Sequence, residues 1–199
     1  YDPILFDLGI SSYHYEESGR GFSFRKGETL DMRLDPTDPI SAMDVVNGYP
    51  EERLADVIYR YGEERLSRRI ASALKRARTR GVDSAQGLAE AVRTCVPGHQ
   101  RRHPALRTFQ ALRIAVNGEL DELARLLAAL PRLAAPGGCV AVISFHSLED
   151  RQVKLAFRAQ RAEGAWHEIA RRPIVADEQE VVDNPRAHSA KLRWARRAA

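Results

Sequence analysis

Apolar residues recur along this chain with two different periods, and the change of period marks its organisation. Ile4-Leu5-Phe6 is a short apolar run closed by Asp7-Leu8-Gly9, the pattern of a buried parallel strand ending in a polar loop. Residues 11–40 show no period and are rich in Gly, Ser, Asp and Pro, which predicts a long loop; long ordered loops are usually functional. A helical rhythm follows. Ser41 caps a short helix over 41–47, and Pro50-Glu51-Glu52 opens a second with Leu54, Val57, Ile58 and Tyr61 on one face. Residues 63–79 continue as helix, with Leu66, Ile70 and Leu74 at steps of four, until Gly81. Asp83 or Ser84 caps a fourth helix carrying Leu88, Ala89, Val92 and Val96. Pro104 starts a long helical stretch with Phe109, Leu112, Val116, Leu120, Leu123, Leu127 and Leu130 on one face, and Gly118 placed to bend or break it.

The period then shortens again. Pro136-Gly137-Gly138 is a turn, and Cys139-Val140-Ala141-Val142-Ile143 is β-branched enough for a buried strand. Residues 148–161 are an amphipathic helix, 166–170 and 191–195 two further strands, and 177–182 a short acidic helix ended before Pro185. Strands therefore flank a helical block. The expectation is an α/β domain formed by 1–39 and 106–199, with a helical subdomain at 40–105 inserted into it.

Composition narrows the classes. With 44% apolar and 29% charged residues the chain is of ordinary globular make-up, and no apolar run is long enough to span a bilayer. Cys95 and Cys139 have no metal-ligand spacing and form no disulfide framework, so they read as small buried residues in a reducing cytoplasm, and no metal is expected. The opening Tyr1-Asp2-Pro3-Ile4 has no initiator Met and reads as the middle of a fold. Charge is uneven: residues 60–113 hold 13 Lys/Arg against 4 Asp/Glu, a local +9 that leaves −5 for the rest of a chain whose net charge is +4. Such asymmetry fits a polyanion partner or an Arg-rich set of surface helices, and charge alone does not separate the two.

Open α/β sheets bind ligands at the carboxyl ends of their strands. Two strand ends here are unusually polar, Asp7-Leu8-Gly9-Ile10-Ser11-Ser12 and Ser144-Phe145-His146-Ser147-Leu148-Glu149-Asp150. Asp7 is placed either to hold an amine or cationic ligand or to cap a loop. Ser147 is the expected N-cap of the following helix, with Glu149 and Asp150 favourable in its first turn. His146, at the loop mouth, is either a structural histidine or a substrate contact.

These strings carry a resemblance. The first set comprises Asp7-Leu8-Gly9-Ile10-Ser11-Ser12, Arg20-Gly21-Phe22-Ser23-Phe24 and Leu30-Asp31-Met32-Arg33. A second comprises His103-Pro104-Ala105, Arg107-Thr108-Phe109-Gln110-Ala111-Leu112-Arg113-Ile114, Val116-Asn117 and Glu119-Leu120. A third comprises Ala135-Pro136-Gly137-Gly138, the run from Ile143 through His146 to Arg151, Asn184-Pro185-Arg186-Ala187 and Ser189-Ala190-Lys191-Leu192-Arg193. Together they resemble the bacterial 16S ribosomal RNA cytosine-N4 methyltransferases, in order and over nearly the whole chain.

The resemblance implies a class I (Rossmann-like) methyltransferase domain interrupted by a helical domain, S-adenosylmethionine as cofactor, and 16S ribosomal RNA of the small ribosomal subunit as partner, in the cytoplasm. It implies that Asp7 contacts the cofactor, as does His14, where the family often has Gln. The family's glycine-rich cofactor loop and ribose-binding acid are expected upstream of this chain; Gly19 and Gly21 lack the strand before and helix after that such a loop needs. Methylation of a cytosine amine requires alignment with the methyl group, an acceptor for N–H and an exit for the proton. Ser11, Ser12 and His146 are the candidates at the strand ends. The Pro-Pro-aromatic string of DNA amino-methyltransferases is missing after Asp7, so base stacking falls to Tyr13, Phe22 or Phe24, or to none of them. Lys75, Arg76, Arg78 and Arg80, then Arg101, Arg102, His103 and Arg107, are candidates for RNA phosphates; Arg107 and Arg113 are equally placed to pair with acids inside the protein. The alternative to an enzyme is a module that binds RNA without cofactor, and what precedes Tyr1 discriminates the two.

Overall fold

The structure, a computed structural model, describes residues 2–24, 27–98 and 103–199, with the backbone alone at Arg80. Two compact units make up the chain: Tyr1–Ile10 with Leu120–Ala199, and Ser11–Glu119.

The first unit is built on a five-stranded sheet. Strands β1 (Ile4–Asp7) and β2 (Cys139–Ser144) run parallel, Ile4 opposite Val140 and Asp7 opposite Ile143. On the other side of β2 lies β5 (Lys191–Arg197), antiparallel, and β5 in turn pairs antiparallel with β3 (Trp166–Ile169) and the two-residue β4 (Ile174–Val175). The sheet is therefore mixed, and only its β1–β2 edge is parallel. Alternation along β2 buries Val140, Val142 and Ser144. Against Val140 and Val142 pack Leu123, Leu127 and Leu130 of α7 (Glu119–Leu133) and Val153 and Phe157 of α8 (Ser147–Ala162). β1 also alternates. Ile4 and Phe6 join this core while Leu5 is 63% exposed, so the three-residue apolar run is not the fully buried strand its composition predicts.

Gln160 shows how finely the core is tied. Pro131 sits inside α7 and has no N–H to give to the carbonyl of Leu127, four residues back. Nε2 of Gln160 donates to that carbonyl at 2.7 Å, while its Oε1 accepts from the indole Nε1 of buried Trp166 at 2.8 Å. One side chain thus satisfies an acceptor freed by proline and a buried donor, and the Trp166 ring meets Phe157 edge to face at 5.9 Å.

In the second unit α1 (Ser12–Glu16) lies within the stretch expected to be all loop, followed by α2 (Ala42–Gly48), α3 (Glu51–Gly62), α4 (Ser67–Ala77), α5 (Ala85–Cys95) and α6 (Leu106–Asn117). Ser41 caps α2 through a reciprocal capping box with Asp44, and Ser84 caps α5. α4 does not continue from residue 63 as its leucine spacing predicts. Glu63 takes a left-handed φ of 49° and ends α3, and helix resumes at Ser67. α6 starts at Leu106, two residues after Pro104, and Gly118, at φ 59°, separates it from α7. Gly62 is fixed by close approach, since a Cβ there would lie 2.5 Å from the Arg107 carbonyl where α3 crosses α6.

The long segment before α2 is a packed part of this unit. Leu30 and Met32 are buried, Met32 at φ 59°. Met32 N–H donates to Arg20 O, Leu30 N–H to Asp83 O, and Ala42 and Met43 donate back to Asp31 and Leu30. Asn117, at the end of α6, donates to the Met32 carbonyl and accepts from Leu34 N–H. These bonds explain why the compact units divide at 10/11 and 119/120, and not at the 39/40 and 105/106 boundaries that periodicity favours. Much of Leu30-Asp31-Met32-Arg33 and Val116-Asn117 is the fastening of this segment.

Candidate active site

β1 and β2 end at the same edge because they are parallel and in register. Leu8 N–H continues the ladder to Ile143 O at 3.0 Å, and Gly9, at φ 97°, turns the chain beside Phe145. The mouth so formed brings Asp7 and the segment from Ser144 to Ser147 together, as the two polar strand ends predict. Asp7 is exposed, and its carboxylate makes no hydrogen bond or ion pair among the described residues. It is not a loop cap. A free carboxylate at a strand end is chemically suited to an amine or a cationic group.

His146 is more deeply engaged. It, and not Ser147, is the N-cap of α8, with φ −138° and ψ 166°. Its Nδ1 accepts from Glu149 N–H at 3.4 Å, and the Glu149 carboxylate accepts in return from His146 N–H at 3.3 Å and Phe145 N–H at 2.9 Å. Accepting at Nδ1 places the ring proton on Nε2. That Nε2 lies 3.3 Å from Oε1 of Glu149 but makes no hydrogen bond with it, and it is buried without another partner among the described residues. The His146 side chain is 10% exposed and that of Glu149 5%. The next acid, Asp150, takes a fork from buried Arg193, Nε to Oδ1 at 2.6 Å, with Lys191 Nζ 3.9 Å away. The strings around 150 and 193 thus meet as an ion pair tying α8 to β5.

In the helical unit, Ser11 precedes α1 but does not cap it; its Oγ bonds to His14 Nδ1 at 3.0 Å. The His14 ring stands edge-on to Tyr13 and Phe22. Ser12 begins α1. Of the three aromatics considered for stacking, Phe22 is buried, Phe24 stacks on His103 at 4.2 Å, and Tyr13 is half exposed.

The basic segment sorts into free and engaged cations. Lys75 and Arg76 are exposed on α4; Lys75 lies 3.8 Å from Glu51, and the Arg76 guanidinium donates to Ser72 Oγ. Arg65, Arg68 and Arg69 share this exposed side, opposite buried Ile70 and Leu74, and were detectable from their spacing against those apolar positions. Arg107 stays exposed but donates to Glu63 O at 2.9 Å, closing the end of α3. Arg113 holds Glu119 in a two-bond fork at 2.7 and 2.9 Å, so it belongs to the interior. Arg78 turns inward to the Val46 carbonyl, and burial pushes its pKa down. The side chain of Arg80, and Arg101 and Arg102 entirely, lie outside the described residues. Cys95 is buried, which raises its thiol pKa, and Cys139 is half-buried.

The chain thus combines an α/β unit, with Asp7 exposed at its parallel strand ends, and a helical unit that carries a run of exposed cations on and beside α4. The chain belongs to the MraW methylase family, whose sequence pattern matches residues 1–198. It is 50% identical over 201 residues to a protein of Sorangium cellulosum named ribosomal RNA small subunit methyltransferase H, covering 98% of this chain and 62% of that one. Proteins of the same name from Nostoc punctiforme and Prochlorococcus marinus are 48% and 52% identical, each over 98% of this chain, which covers 65% and 63% of them. The chain thus spans less than two thirds of these relatives.

Proposed function

We propose that this chain is part of a class I methyltransferase that transfers a methyl group from S-adenosylmethionine to the exocyclic N4 amine of a cytosine in 16S ribosomal RNA. The observation that carries the reading is the mouth at Asp7 and Ser144–Ser147, found where open α/β sheets bind ligands and formed by two strings of a chain in the methylase family. Asp7 fits the cofactor: a strand-end carboxylate without an internal partner has its charge available for the cofactor's amine or sulfonium. His14, held by Ser11, is the second cofactor contact in this reading. When bound, S-adenosylmethionine supplies a methyl carbon already activated by its sulfonium.

The chain's own residues then have three tasks. The β1 and β2 ends fix the position of the target amine relative to Asp7, which supplies proximity. The capped loop of His146 shapes the mouth; in this reading His146 orients the base or its phosphate and is not an essential base catalyst. Ser11 and Ser12 remain candidates to accept the N–H hydrogen bond. The exposed cations of α4, with Lys75 and Arg76, and Arg101, Arg102 and Arg107, hold backbone phosphates and position the RNA without reading sequence. Residues 40–105 act in this reading as an inserted RNA-recognition domain. The site of action is the cytoplasm; among the described residues no helix is long and apolar enough to cross a membrane.

Isothermal titration of the intact protein with S-adenosylmethionine tests the assignment. Asp7→Ala should weaken binding by about tenfold, the order expected for loss of one charge-assisted contact of ~1.4 kcal/mol, with no loss of thermal stability. Unchanged affinity would remove Asp7 from the cofactor site.

A further inference from the structure

The sheet unit carries a cationic groove outside the strand-end mouth. Arg158 and Arg161 of α8 and Arg171, just after β3, surround an open groove of about 550 Å³ whose remaining walls are Ala162, Ile169 and Ala170. Among the described residues no acidic side chain lines it. All three arginines are exposed, and none of their guanidiniums makes a hydrogen bond or ion pair among the described residues. Cations in the last turn of a helix complement its dipole, which accounts for Arg161. It does not account for Arg158 one turn earlier, nor for Arg171, which belongs to no helix. Three uncompensated guanidiniums facing one concavity repel one another unless an anion sits between them.

We infer that this groove is a second RNA-backbone site, which grips phosphates of the substrate away from the reacting base. The inference rests on the ribosomal RNA reading of the active site. The guanidinium fork matches phosphate oxygens two at a time. The walls offer no aromatic ring for stacking and no side-chain acceptor for a base edge, so the groove holds backbone and reads no sequence. Its position sets the register. His146 caps the start of α8 in the mouth, and Arg158 lies twelve residues beyond it on that helix, about 18 Å at ~1.5 Å per residue. At ~3.4 Å per stacked nucleotide that is roughly five nucleotides from the target cytosine.

The test uses the intact protein and two ribosomal RNA segments centred on the modified cytosine, one reaching about two nucleotides to either side and one about ten. Affinity is measured against salt by fluorescence anisotropy, with thermal melts as a check on folding. The triple variant Arg158→Gln, Arg161→Gln, Arg171→Gln should bind the long RNA at least tenfold more weakly. Its log–log salt slope should fall in magnitude by about 2, at ~0.7 per phosphate contact on a single strand. The short RNA should bind as before, and the triple Arg→Lys variant should keep the slope. The inference is overturned if the Gln variant keeps the full slope on the long RNA while Arg68→Gln with Lys75→Gln and Arg76→Gln on α4 flattens it; the functional reading then still stands. Equal loss on both RNAs overturns the placement. Loss of binding to anionic phospholipid vesicles, with RNA binding intact, assigns the groove to a membrane instead. If the wild-type protein binds neither RNA, the functional reading itself has failed.

Discussion

Replacing His146 separates two roles that its position combines. As N-cap of α8 its Nδ1 takes one backbone N–H, and Glu149 answers by taking two more. Loss of an N-cap costs about 1 kcal/mol, within a range of roughly 0.5–2. Truncating a ring whose side chain is only 10% exposed adds a cavity term, while removing the unpartnered Nε2–H relieves a buried polar group and offsets part of it. The balance for His146→Ala is about 1–2 kcal/mol, which lowers Tm by a few degrees. His146→Asn restores a good N-cap without the imidazole, so its Tm should recover most of that loss. If the ring also orients the substrate, the Asn variant should remain slow in single-turnover methylation at saturating RNA, with S-adenosylmethionine affinity unchanged. The assay is a thermal melt run beside single-turnover methylation of both variants. A wild-type Tm for the Ala variant would refute the capping argument. A wild-type rate for the stabilised Asn variant would refute the substrate-facing role.

Gln160→Ala leaves both the Leu127 carbonyl and the Trp166 indole N–H without partners; at ~1–3 kcal/mol for a buried group, denaturant unfolding should show a loss of about 2 kcal/mol or more with no change in m. Acid should loosen the helical unit through two carboxylates. The Arg33 fork holds Asp31 below its usual range, and the Ser41 hydroxyl and N–H hold Asp44 below its own. Folded values below the unfolded ones mean that this stability is complete above about pH 4–5 and is lost as pH falls through the lower folded values. Stability curves between about pH 6 and pH 2 should therefore lose less in an Asp44→Asn variant than in the wild type, and identical curves would contradict the assignment.

What was legible in the sequence follows from what local pattern can encode. α2, α5, α8 and β2 are found near their expected places because caps, turns and apolar spacing are written within a few residues. The break at Glu63 was not legible: a glutamate has no preference for φ 49°, and the conformation is fixed by Arg107 reaching from α6 to its carbonyl. The cap at His146 was hidden because the neighbouring serine is the commoner capping residue, and only the chain's path after β2 decides between them. The packed segment before α2 carries no period, since its order comes from bonds to Asn117 and Asp83, far away in sequence. At the site, the strand-end position of Asp7 was readable from Ile4-Leu5-Phe6-Asp7, whereas the division of the basic residues into exposed Lys75 and Arg76 and inward Arg78 and Arg113 needed the helix packing.

The most direct test of the account is transfer of a labelled methyl group from S-adenosylmethionine to small ribosomal subunits that lack the modification, using the intact protein, followed by nuclease mapping and mass analysis of the labelled nucleoside. Label is expected in 16S ribosomal RNA at a single cytosine, on N4, with loss of most of it in Asp7→Ala at limiting cofactor. Label on carbon 5 or the ribose of that nucleotide, or on protein alone, would contradict it.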